Sequence, residues 1–127
     1  MSKIGGLMFS GQSANGVSFN VEAAVAEGDA VTTTTTAGTL GRGSDGDEIV
    51  GLVDRDEGDN VANVKLRGCG KVVTAKRAGA INSGNPGAAV ALAVDGAGLV
   101  KAGTGTSEFI VIGSTTVDSV DYVTFVL

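Results

Sequence analysis

The stretch "VSFNVEAAV", Val17 to Val25, decides the fold class. Val17, Phe19, Val21, Ala23 and Val25 take every second place, with Ser18, Asn20, Glu22 and Ala24 between them. A period of two sends one set to one face of an extended chain and the other set to the opposite face, which marks a half-buried strand. Propensity alone would allow a helix over "NVEAAVAEG", but the alternation running into it outweighs propensity. "EGD", Glu27 to Asp29, then turns the chain.

Similar runs follow: "EIVGLVD" (Glu48 to Asp54), "VANVKLR" (Val61 to Arg67), "KVVTA" (Lys71 to Ala75), "AAVALAV" (Ala88 to Val94), "EFIVIG" (Glu108 to Gly113) and "DYVTFVL" (Asp121 to Leu127). Gly, Asp and Ser punctuate them, and "RDEGDN" reads as a turn between the first two. Short strands at this spacing predict a small, single-domain all-β fold, a β-barrel or β-sandwich, over residues 17–127. "EIVGLVDRDEGDNVANVKL" and "FIVIGSTTVDSVDYVTFVL" share one plan, a strand, a polar turn and a closing strand ending in Leu. That echo suggests a repeated β unit, although any two hairpins share such a plan.

The 127 residues suit one domain rather than two. At 43% hydrophobic the chain can build a core, mostly from Val and Ala, since aromatics are 4% and Trp is absent. Twenty-one Gly with a single Pro exclude collagen-like and proline-rich readings. The net charge of −5 argues against binding nucleic-acid phosphates or an anionic membrane surface, both of which call for basic residues. No apolar run approaches the ~20 residues that span a bilayer. The opening "MSKIGGLMFSG" lacks a sustained apolar stretch and reads as a mature end. One cysteine, Cys69, forms no intramolecular disulfide and fits a reducing compartment.

Five threonines, Thr32 to Thr36, follow Ala30-Val31. Threonine is β-branched yet tolerates water, so a strand polar on both faces is expected at a sheet edge. A mucin-like stalk would need Pro and a longer tract, and an ice-binding face would need many stacked rungs. "GRGSDG" (Gly41 to Gly46) matches G-x-G-x-x-G, but a strand follows where a dinucleotide site needs a helix N-terminus, and Asp45 and Asp47 repel phosphate. "GCGKVV" lacks both the leading glycine and the Ser/Thr of a P-loop. "DRDEGD" (Asp54 to Asp59) has the carboxylate density of a calcium loop, but Gly58 stands at the fifth position and strands flank it, so a solvated acidic turn is expected.

Catalytic side chains are scarce. Without histidine there is no Ser-His-Asp or Cys-His relay and no imidazole metal site. Cys69 stands between Gly68 and Gly70 with Arg67 and Lys71 beside it, neighbours that can activate a thiol, but a buried or half-buried inert thiol is the commoner case. No catalytic residue, cofactor or metal is expected.

"GDAV" (Gly28 to Val31), "IVGLVD" (Ile49 to Asp54), "GDNVANVKLRGCGKVV" (Gly58 to Val73), "PGAAVAL" (Pro86 to Leu92), "DGAGLV" (Asp95 to Val100) and "DYVTFVL" form an ordered series. Over Val25 to Leu127 the chain resembles the small Gly/Ala/Val-rich capsid decoration, or cement, proteins of tailed bacteriophages. The resemblance implies a virion structural protein, made in the host cytoplasm, that binds the outer surface of the mature capsid. It would act as a homotrimer with the major capsid protein as partner. An exposed adhesive or receptor-binding β module on a virion or cell surface is the alternative, and a small hydrolase is remote. The segment before Val17 is longer than a minimal member needs. Ile4, Leu7, Met8 and Phe9 are interrupted by Gly5-Gly6 and followed by a polar tract. They form either a first core strand or an N-terminal arm, residues 1–16, that adds main-chain bonds to the capsid, and the glycine hinge favours the arm.

Overall fold

The computed structural model describes residues 16–81, 87–104 and 107–127. Ile4, Leu7, Met8 and Phe9, and with them all but the last residue of the expected arm, lie outside the described residues. Among the described residues there are ten strands and no helix, so the all-β expectation holds.

Five strands close a barrel: β1 (Val17–Val21), β2 (Ala30–Thr33), β3 (Thr39–Gly41), β4 (Gly51–Gly58) and β5 (Val61–Leu66), in the order β1-β3-β2-β4-β5. β1 runs parallel to β3 and antiparallel to β5, which completes the ring. The remaining five form a second sheet: β6 (Val72–Lys76), β7 (Ala88–Val94), β8 (Val100–Ala102), β9 (Glu108–Val117) and β10 (Val120–Val126), in the order β6-β10-β9-β7-β8. Its two outer strands meet at a parallel bridge between Arg77 and Val100, where Ala78 N donates to Val100 O at 2.8 Å. The barrel closes in the same way, with Val21 beside Leu40 and Glu22 N donating to Leu40 O at 3.0 Å. Adding five to each strand number of the barrel reproduces every pairing of the second sheet. The chain therefore uses one strand plan twice, and the sequence echo falls on the equivalent hairpins β4–β5 and β9–β10.

Both hairpins turn in two residues. Asp59 and Asn60 have φ of 53° and 58°, and Asp118 and Ser119 have 51° and 66°. Two consecutive left-handed residues are what a two-residue hairpin turn matched to strand twist requires, and Asp and Asn tolerate that region better than most. The acidic run is thus mostly strand. β4 continues to Gly58, with irregular register after Val53 and Asp56, and only Asp59-Asn60 turn.

Two further expectations change. The first strand stops at Val21, four residues early: Val21 N donates to Asn60 O and Glu22 N to Leu40 O, and the chain then turns. The Asp29 carboxylate holds that turn by accepting from Ala26 N at 2.8 Å. The threonine run is no edge strand. β2 ends at Thr33 and sits between β3 and β4, and Thr32 is only 5% exposed. Pairing with β3 on one side and β4 on the other leaves β2 no free edge. Thr34 to Thr36 lie outside the strand, where the Thr34 hydroxyl accepts from Thr36 N and lies 2.9 Å from Thr39 O.

β2 and the start of β4 are buried on both faces, which is why neither alternates. Val31 and Val53 fill the barrel with Val21, Leu40, Ala62 and Val64. Ala30 and its cross-strand partner Leu52 instead join Ile49 in the core of the second sheet, with Leu92, Val94, Val111, Val123 and Phe125. Main-chain bonds reinforce this junction. Ala30 N donates to Gly98 O, Gly46 N to Val94 O and Val94 N to Asp47 O, at 2.9, 2.9 and 3.0 Å. The "GRGSDG" loop is therefore a tie between the two units.

Candidate functional site

Each polar cluster flagged in the sequence has a structural employment. Along β4, Asp54 pairs with Lys65 at 3.4 Å and Arg55 with Glu57 at 3.6 Å. Glu57 also accepts from the Ser18 hydroxyl at 2.7 Å, and Asp56 accepts from Gly58 N at 3.0 Å. Among the described residues no three of Asp, Glu and Cys gather as metal ligands. In the "GRGSDG" loop the Asp47 carboxylate accepts from Ser44 N at 2.9 Å, an internal turn bond at the place where a phosphate would need donors. Asp29, largely buried, takes Arg42 Nε at 2.8 Å and anchors the loop before β2.

Cys69 is exposed, which corrects the expectation of a buried or half-buried thiol. Gly68 and Gly70 on either side have φ of 94° and 76°, so the thiol sits on a tight surface turn. Arg67 does not remain a free cation beside it: the guanidinium lies over the Phe109 ring, 4.5 Å from the centroid.

Three clefts among the described residues are small. Two lie in the seam between the units, about 190 Å³ beside Leu52, Lys65 and Val72 and about 130 Å³ beside Asp29, Lys76 and Tyr122. A third, about 280 Å³, lies at the end of the barrel below the threonine turn, between Phe19, Thr34, Val50 and Leu66. All are below the roughly 300–1,000 Å³ of ordinary small-molecule sites.

The distinctive feature is instead how charge and apolar surface divide between the units. Residues 17–66, the barrel, carry ten carboxylates against three cations, a net of −7. Residues 67–127 carry five cations against four carboxylates, a net of +1. Among the described residues, the exposed large hydrophobics, Val72, Ile110, Ile112 and Val117, all belong to the second unit. The whole-chain charge of −5 hides this split, which was countable in the sequence once the boundary near residue 66 was known. Ile110 and Ile112 were not singled out because four apolar residues in succession carry no alternation, and only the sheet shows that one face is open. No known family model, curated protein or solved structure matches this chain.

Proposed function

We propose that the protein is a structural cement protein of a tailed-phage head. In this reading it binds the outside of the mature capsid as a homotrimer and stabilises contacts between major capsid protein subunits, after synthesis in the host cytoplasm. It performs no catalysis and needs no cofactor. The observation that carries the reading is the two-sided surface: an acidic barrel that shares a buried core with a near-neutral unit bearing the exposed apolar side chains. An enzyme gathers its polar chemistry in a concave site, whereas a protein whose task is to adhere presents exposed apolar side chains of this kind. The motif series resembling decoration proteins supplies the partner. An acidic outer pole keeps decorated particles from sticking to one another or to nucleic acid. Many weak contacts on a repeating shell gain strength from multivalency.

The test is to mix the purified chain with expanded, undecorated shells assembled from the major capsid protein encoded in the same genome, and to image them by electron cryomicroscopy. Added density at local threefold positions is expected. Shells that remain bare at saturating protein refute the reading.

A further inference from the structure

We propose that the outer face of the second sheet is the surface that docks on the shell, leaving the acidic barrel turned to solvent; this inference rests on the cement reading above. The register defines the face. Val72 pairs with Val126 across β6 and β10, and the Phe125–Val111 pair sets Val126 beside Ile110 one step along. Ile110 in turn pairs with Ala89 on β7. Val72, Val126, Ile110 and Ala89 therefore form one cross-strand row on the face opposite buried Val73, Val111 and Phe125. The register shift at Thr124 places both Ile112 and Gly113 opposite one residue, so Ile112 joins the outer face beside the row. Val72, Ile110 and Ile112 are 59%, 49% and 45% exposed.

The chemistry of the face suits removal from water. The row itself carries no charge, the charged side chains of this face, Lys76 on β6 and Glu108 on β9, stand at its margins, and beside it the Thr74 and Thr124 hydroxyls bond each other at 2.9 Å. Covering the row and the threonine pair, with Lys76 and Glu108 left at the rim, buries no charge and leaves neither hydroxyl without a partner. The equivalent barrel strand, β4, is the opposite, with Asp54, Arg55, Asp56 and Glu57 in succession. Charges of that kind guard a sheet against association. One copy of the strand plan is guarded and the other is open.

Area selects the occupant. The four strands that carry the row, about 4.8 Å apart and about 19 Å long, present at most roughly 360 Å². A stable two-body interface takes about 800 Å² from each partner. A second copy bound through this face alone would dissociate readily, whereas a shell that repeats the site many times needs only a weak contact at each. The occupant is thus a repeated area on the shell that is apolar where it meets the row.

The experiment compares shell binding by wild type, Ile110→Asp, Val72→Lys and the barrel control Asp56→Lys, using co-sedimentation with the same expanded shells and thermal melts of each variant. Both altered side chains on the face are exposed, so melting temperatures should stay within about 2 °C of wild type, and Val72→Lys serves if Ile110→Asp fails to fold. The expected result is at least tenfold weaker decoration for either face variant, with Asp56→Lys within about twofold of wild type. If wild type decorates and both face variants decorate equally well, the docking face is wrong and the cement reading survives. If wild type leaves the shells bare, both fall. If wild type self-associates in solution and Ile110→Asp abolishes it, the face joins copies of this chain, and the inference is overturned.

Discussion

Truncating Ile49 to alanine tests whether the two units fold as one body. Ile49 lies between β3 and β4, in the barrel half of the chain, yet it is 1% exposed and packs in the core of the second sheet with Val94, Val100 and Leu92. The substitution removes three buried carbons. At about 0.8 kcal/mol per methylene the transfer loss is roughly 2.4 kcal/mol. A residual cavity raises the total to about 3 kcal/mol, within the usual range for such truncations. Unfolding entropy of about 2.1 cal/mol/K per residue, applied to 127 residues, gives about 0.27 kcal/mol/K. The melting temperature should therefore fall by about 11 °C. Differential scanning calorimetry of wild type and Ile49→Ala should show a single transition in each, the second displaced by that amount. Two resolved transitions of which one moves, or a displacement below about 4 °C, would refute the shared core.

Other outcomes follow from the same contacts. A Cβ on Gly51 would lie 2.6 Å from Lys65 O and 2.7 Å from Val64 Cγ1. Gly51→Ala should thus cost on the order of 1–3 kcal/mol in a denaturant melt. Gly113→Ala, with nothing within 4 Å of its Cβ, should stay within about 0.5 kcal/mol of wild type. Because the carboxylates of Asp54, Asp56 and Glu57 are engaged by protein donors, a chelator should leave the melting temperature unchanged. A shift of many degrees would restore a calcium site there. Exposed Cys69 should react completely with a maleimide in the native protein, and protection released only by denaturant would contradict its position.

Much of the fold was legible along the chain. Alternation marked a strand from Val17 to Val25, of which Val17 to Val21 is one, the run Ala88 to Val94 is a strand with those same bounds, and the turns at Asp59-Asn60 and Asp118-Ser119 fall inside the predicted polar breaks. These features are local: strand period and left-handed turns follow from side-chain placement and backbone sterics within a few residues. The scarcity of catalytic side chains was likewise a matter of residue types. β3 and β8 were missed because three residues are too short to carry a period. The threonine run was misplaced because edge or interior is a property of neighbours. β2 is interior because β3 pairs on one side of it and β4 on the other. The open face of β9 has the same origin. Phe109, Ile110, Val111 and Ile112 are alike in hydrophobicity, and only pairing with β7 and β10 decides which of them point into the core and which out. Local sterics and residue chemistry made the strands readable from the sequence, whereas closure and facing depend on contacts between residues far apart in the chain, which only the tertiary structure brings together.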